Sequence, residues 1–205
     1  LFFLQAISLA LGVLPTWLLS RQAGLPCNKA LAMVFVYLLY PVVFNVNLFD
    51  FHPEVMALPA FLAAVWFART GKIILFFISI IFILGCKAVL SLTIAAMGFW
   101  LLLFEKRRFC GLVALSTGVA WFFISSQVII PLFSSKEAAA VGRYSYLGNS
   151  VFEIAKNLIF KPGIVLEKLF IIDNLFYLIL LFLPVIWGIS FSSLTPLVAA
   201  FPSIF

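Results

Sequence analysis

The chain alternates long apolar runs with short polar breaks, and most runs approach the length of a membrane helix. Leu1 to Ser20 carries no charge and, at 1.5 Å per residue, reaches about 30 Å, the thickness of a bilayer's hydrocarbon core. Pro15 lies inside this run and predicts a kink. Gly24-Leu25-Pro26 ends it, and Ala30 to Asn47 follows with Pro41 in its last third. The polar stretch Asp50-Phe51-His52-Pro53-Glu54 then leads into Val55 to Ala68. Ile73 to Phe104 is too long for one span and divides at Gly85-Cys86-Lys87 into two arms that go out and return. Gly111 to Phe133 is a further span, with Ser125-Ser126-Gln127 in its second half. Leu169 to Ile189 is interrupted by Pro184, and Ser190 to Phe205, with Pro196 and Pro202, reads as a broken or re-entrant tail. The pattern predicts an all-α fold, a polytopic transmembrane helical bundle of about six to eight segments.

One stretch departs from the pattern. From Ser134 to about Lys168 the chain is polar, and Lys136, Glu137, Arg143, Glu153, Lys156, Lys161, Glu167 and Lys168 nearly balance in sign. Balanced charge suits an extracytoplasmic loop, which escapes the bias that loads cytoplasmic loops with Lys and Arg. Within it, Val151 to Phe160 places Val151, Phe152, Ile154, Ala155, Leu158 and Ile159 at helical spacing opposite Glu153, Lys156 and Asn157. That predicts an amphipathic helix lying on the membrane, stopped by Pro162. The whole of 1–205 reads as one integral membrane domain carrying the 134–168 loop. Because it begins at Leu1 and stops at Phe205, both inside apolar runs, it reads as an internal fragment of a longer chain.

Composition sharpens the class. Of the 205 residues, 65% are hydrophobic and 10% charged, against about 25% charged in a soluble domain. A water-exposed surface cannot be covered with so few charges. The net charge of +6 forms no basic face of the kind that binds nucleic acid. It collects in short clusters: Arg21 with Lys29, Arg69 with Lys72, and Lys106-Arg107-Arg108. Those clusters mark cytoplasmic loops and place Asp50, Glu54 and Lys87 on the opposite, extracytoplasmic face of the membrane. Cys27, Cys86 and Cys110 form no CxxC pair, so neither a zinc site nor a lasting disulfide is indicated.

The candidate chemistry sits between the second and third runs. Asp50, His52 and Glu54 bring two carboxylates and the one histidine of the sequence into five residues. Ionisable groups at the mouths of membrane helices are costly unless hydrated or paired, and by default they mark function. The plainer reading makes Pro53 the first residue of the next helix and Asp50 and Glu54 its N-terminal caps, with His52 an interfacial side chain. Lys87 has two readings as well: snorkelling to the interface, or pairing with Asp50, Glu54 or an anionic ligand. Arg143-Tyr144-Ser145-Tyr146 is aromatic and basic, as a sugar- or phosphate-binding loop would be, although interfacial anchors share that composition. No phosphate-binding glycine loop, HExxH or Gly-x-Ser-x-Gly occurs, so no cofactor is indicated. No divalent metal is indicated either, although Asp50 or Glu54 could bind one.

Several of these features recur in order: Leu4-Gln5-Ala6, Leu38-Leu39-Tyr40-Pro41, Asp50-Phe51-His52-Pro53-Glu54 with Leu58-Pro59, the Lys87 turn, Ile129-Ile130-Pro131, Arg143-Tyr144-x-Tyr146-Leu147-Gly148 and the Pro196 to Pro202 tail. Together they resemble the prokaryotic membrane proteins grouped as domain of unknown function 2079, and the resemblance runs over the whole chain. That group is in turn similar to the GT-C membrane glycosyltransferases, which take a sugar from a polyprenyl-phosphate carrier at the outer membrane face. The resemblance implies catalytic roles for Asp50, His52 and Glu54, and donor binding by Lys87, Arg143, Tyr144 and Tyr146. The chain departs from the group at Lys87-Ala88-Val89, where Lys-Glu-Asp is usual. The acidic first external loop of GT-C enzymes would lie upstream of Leu1. Implied partners are membrane lipid and a polyprenyl-phosphate sugar donor. Two alternatives use the same residues: a transporter or channel, in which they line a substrate or proton path, and a non-catalytic subunit of a larger membrane assembly.

Overall fold

A computed structural model describes residues 2–48, 51–133 and 194–204, with single positions at 157, 163, 179, 182 and 183. Asp50, nearly all of the 134–168 loop including Arg143, Tyr144 and Tyr146, and nearly all of Leu169 to Ile189 fall outside the described residues. The chain separates into two compact units, Leu1–Phe122 with Ser190–Phe205, and Phe123–Ile189. Among the described residues every regular element is helical.

The first run is a helix bent in its middle. Helix α1 spans Phe2–Leu11 and α2 spans Val13–Gln22, with a turn at Gly12. Pro15 supplies no N–H for the carbonyl of the preceding turn, so the ladder opens there. Thr16 follows it, and both its backbone N–H, at 3.1 Å, and its hydroxyl, at 2.7 Å, donate to the Gly12 carbonyl at the turn. Tyr37 packs into the bend: a Cβ on Gly12 would lie 2.1 Å from its hydroxyl oxygen, and that hydroxyl donates to the Leu9 carbonyl at 2.8 Å. Gly12 is therefore a site of close approach, where any side chain would displace the tyrosine ring.

The second run is corrected. Instead of one helix over Ala30 to Asn47, α3 covers Cys27–Leu39 and α4 covers Pro41–Leu48. Tyr40 between them is extended, with φ −60° and ψ 123°. A residue before proline is pushed out of the α region by the ring, so Pro41 begins a new helix in place of bending the old one.

Three antiparallel helices follow. A short 3₁₀ turn, Pro53–Met56, leads into α5, Ala57–Thr70. Gly71, at φ 74°, caps α5 in the left-handed region, and both Gly71 and Lys72 donate to the Phe67 carbonyl. Helix α6 spans Ile73–Cys86 and α7 spans Leu90–Leu103, joined at Lys87, so the division of this long run falls where Gly85-Cys86-Lys87 placed it. Their core is shared. Helix α5 gives Ala57, Ala64 and Ala68; α6 gives Phe76, Ile80 and Ile83; α7 gives Ile94, Met97, Trp100 and Leu101. The alanine face of α5 admits the bulkier ridge of α6, as packing without a water-driven hydrophobic force requires.

Helix α8, Arg108–Ile124, approaches α7 more closely still. A Cβ on Gly98 would stand 2.3 Å from the Leu115 backbone nitrogen, and one on Gly118 would stand 2.6 Å from the Ser91 carbonyl oxygen. Backbones meet here because Gly98, Gly111 and Gly118 offer nothing between them. The C-terminal helix of the first unit, α10, spans Leu197–Ile204 and packs on α7. The Trp100 indole N–H donates to the Thr195 hydroxyl just ahead of it, at 3.4 Å.

In the second unit, the described segment passes from the end of α8 through a π-helical turn, Ser125–Ile129, into α9, Ile130–Phe133. The Ile130 N–H reaches back five residues to the Ser125 carbonyl. Pro131 cannot continue the ordinary ladder, and the wider turn accommodates the missing donor.

Apolar side chains face outward from many of these helices: Phe3 is 79% exposed, Ile74 75% and Leu39 73%. So continuous an apolar exterior belongs against lipid. Among the described residues, two helices have the length and apolarity to cross a membrane, Phe2–Gln22 with 21 residues and Arg108–Ile129 with 22. Cys27–Leu39, Ile73–Cys86 and Leu90–Leu103 are apolar but shorter. The described residues thus support an all-helical membrane protein at a coarser level than six to eight full spans.

Candidate functional site

The helical hairpins bring the sequence's separated charges to two ends of one bundle. Helix α5 runs from the Glu54 end to Arg69, and α6 returns to Lys87. At the first end, the Lys87 ammonium donates to the Glu54 carboxylate and forms an ion pair. Of the two readings of Lys87, the structure shows the paired one. Both groups keep access to solvent, with side chains 49% exposed for Lys87 and 27% for Glu54.

Glu54 is positioned by its backbone. His52 is extended, Pro53 supplies the fixed φ that starts a helix, and Glu54 falls in the first turn. Partial burial works to raise the Glu54 carboxyl's proton affinity. Burial is the largest single influence, but the hydrogen bond from Lys87, Glu54's own backbone N–H and the charges of Lys87 and His52 together outweigh it and hold the group below its ordinary value of 4.5. Glu54 is therefore ionised at neutral pH. His52 does not cap the turn with its side chain and is exposed beside the pair.

A residue without an assigned role in the sequence completes this end. Gln5 is fully buried in α1, and its side-chain oxygen accepts the His52 backbone N–H at 3.0 Å. It fixes the approach of the 51–54 segment from a helix nearly fifty positions earlier. Its signal in the sequence was an amide alone in an apolar run, where a buried polar group needs a partner.

Among the described residues, no three His, Cys, Asp or Glu side chains converge as metal ligands. The arrangement joins Glu54, Lys87 and the backbone of His52. Arg143, Tyr144, Tyr146 and Asp50 lie outside the described residues. A fixed carboxylate beside a mobile ammonium can accept a proton while the ammonium meets a developing anion, so the pair has the parts of a group-transfer or anion-binding site.

The opposite end carries Arg69, Lys72, Glu105 and Arg107. Arg69 grips Glu105 with two hydrogen bonds, Nε to Oε2 at 2.9 Å and Nη2 to Oε1 at 2.6 Å. Its guanidinium stands 5.7 Å from the centre of the Trp100 ring. Arg107 donates from Nη2 to the Arg69 backbone carbonyl, satisfying one of the free carbonyls at the end of α5. The basic clusters around positions 69–72 and 106–108 thus share one end, and Glu54 with Lys87 shares the other, as the charge pattern required.

No curated protein and no solved structure matches the chain. A family model described as "Predicted membrane protein (DUF2079)" matches residues 1–205. With an apolar helical exterior and that match over its full length, the chain belongs to this family of membrane proteins of unknown function.

Proposed function

We propose that the Glu54–Lys87 end is the reaction centre of a glycosyltransferase that uses a polyprenyl-phosphate-linked sugar at the extracytoplasmic face of a prokaryotic plasma membrane. The observation that carries this reading is the pairing of a carboxylate with an ammonium at the bundle end opposite the arginine-rich one. Such a pair is poised for a step that needs both a proton acceptor and a counter-ion for phosphate.

In the proposed step an acceptor hydroxyl oxygen attacks the anomeric carbon of the donor and forms the new C–O bond. Its proton passes to the Glu54 carboxylate, with Asp50, four residues earlier in the sequence, as the second acid of the proposed mechanism. The bond from the anomeric carbon to the carrier phosphate breaks, and its electron pair leaves with the phosphate. Lys87 turns from Glu54 to that phosphate and neutralises the charge that develops there. Once the ammonium has moved away, the burial of Glu54 is no longer opposed by its partner, and its affinity for the proton rises. Donor binding and activation of the base are linked through one lysine. His52 stands beside the acceptor side and orients the hydroxyl.

The test is transfer of radiolabelled sugar from polyprenyl-phosphate donor in membranes containing the full-length protein. Glu54→Gln should lower transfer by about 10²–10⁴-fold without loss of folded protein, and Lys87→Ala should lower it by roughly 10²-fold. Wild-type transfer by both Glu54→Gln and Asp50→Asn would remove the assignment. Solute flux in donor-free proteoliposomes would replace it with the transporter reading, which the broken helices at Gly12 and Tyr40 also suit.

A further inference from the structure

The arginine-rich end holds more cations than its carboxylate can answer. Glu105 is engaged through both oxygens by Arg69. The two ion pairs among the described residues are Arg69–Glu105 and Glu54–Lys87, and neither includes Lys72, Lys106, Arg107 or Arg108. All four of these side chains are exposed. Arg107 has a carbonyl partner, and the Lys72 ammonium stands 4.5 Å from the Trp66 ring centre. None of them meets an anion within the described residues.

The backbone adds to the positive charge. Helices α6 and α8 both begin at this end, Lys72 and Arg107 lying just before their first turns. Cations at helix N-termini oppose the helix dipole, and no side chain caps α6. The Phe77 and Phe109 rings meet edge to face at 6.3 Å, which sets the first turns of α6 and α8 side by side.

The surface directly inward from these cations is apolar and open. Ile73 and Ile74 of α6 are 43% and 75% exposed, and Phe109 and Leu112 of α8 are 57% and 61% exposed. A soluble anion would satisfy the charges and leave this surface bare. An amphiphile with a phosphate head and acyl chains matches both parts.

We propose that the end of the bundle formed by Lys72, Lys106, Arg107 and Arg108 binds the headgroup phosphate of an anionic phospholipid, whose acyl chains lie along Ile73, Ile74, Phe109 and Leu112. The site is independent of the Glu54–Lys87 end. It makes the lipid a structural partner that relieves repulsion among four cations and holds α6 against α8.

The test uses full-length protein in phosphatidylcholine vesicles doped with spin-labelled phosphatidylglycerol or spin-labelled phosphatidylcholine. The fraction of motionally restricted label reports association with the protein. Phosphatidylglycerol should be preferred, and Lys106→Gln with Arg108→Gln should reduce that preference roughly 25-fold, since each interfacial cation contributes roughly a fivefold factor. Lys72→Gln, a single change on the neighbouring helix, should reduce it about fivefold. Lys29→Gln, in the other basic loop, should leave it intact. Equal association of the two lipids would overturn the proposal. So would an equal loss in Lys29→Gln, which would mean a diffuse field with no site. Displacement of phosphatidylglycerol by inorganic phosphate at constant ionic strength would overturn it in favour of a free-phosphate site.

Discussion

The two ends of the α5–α6–α7 bundle are built from the same kinds of residue and differ in how many partners each has. At one end, Arg69 makes two bonds to Glu105, lies near Trp100, and has its carbonyl held by Arg107. At the other, Lys87 makes one contact to Glu54, and nearly half of its side chain is exposed. A guanidinium fork fixes a carboxylate in one geometry, whereas an ammonium on a four-carbon stem is a movable point charge. The first end is suited to hold helices together. The second can open without disturbing the fold, which is what a site that exchanges its lysine for a ligand phosphate requires. Ion pairs at both mouths of a membrane bundle are therefore not equivalent signs of function.

The comparison presupposes that α7 stays fixed between the two ends, and the most damaging change should act there. Gly98→Val would place carbon atoms inside the Leu115 and Gly111 backbones and force α7 from α8, at about 3 kcal/mol. Thermal unfolding in detergent should show the largest fall in Tm of any variant considered. An unchanged Tm would mean that the helices do not meet as described.

Next in size is the loss of Glu105. Glu105→Gln leaves the Arg69 guanidinium, 28% exposed, without its counter-charge at about 1–2 kcal/mol, less than a fully buried pair because solvent screens it. Glu54→Gln should cost only about 0–1 kcal/mol while lowering the proposed transfer by about 10²–10⁴-fold. If the two variants lose equal stability, the contrast between the ends fails.

Gln5→Leu removes the acceptor of the His52 N–H, at about 1 kcal/mol. Hydrogen exchange should speed at His52 and stay unchanged around Arg69. Uniform acceleration at both ends would show that Gln5 supports the whole fold and not the 51–54 segment.

The smallest effect is that of pH. Glu54 titrates below its ordinary value of 4.5 in the folded chain, so its pairing with Lys87 stabilises fully above that value and is lost as pH falls through the lower folded one. The stability difference between wild type and Glu54→Gln should stay constant between about pH 7 and 5. Below about pH 4.5 the wild type should lose slightly more than the variant, and a change in that difference near neutrality would contradict the assignment.

Much of this was legible along the chain. The breaks at Gly24-Leu25-Pro26 and Gly85-Cys86-Lys87, the helical start at Pro53 and the common end of the 69–72 and 106–108 clusters follow from local stereochemistry and from where charge can lie beside lipid. The Ala30 to Asn47 run misled because apolarity conceals a break that Pro41 enforces through Tyr40. Gln5 stood out as a lone amide in an apolar run, but its role could not be read there, since it lies in a partner far along the chain.

The sequence by itself determined the membrane class, the all-helical character and the common end of the 69–72 and 106–108 charges, because hydrocarbon thickness and proline geometry act locally. Only the tertiary structure decided that Lys87 meets Glu54, that Gln5 holds His52, and that Gly98 and Gly118 let two backbones touch. Those contacts join residues from different helices, and their existence depends on how the helices pack, a property that no single stretch of sequence contains.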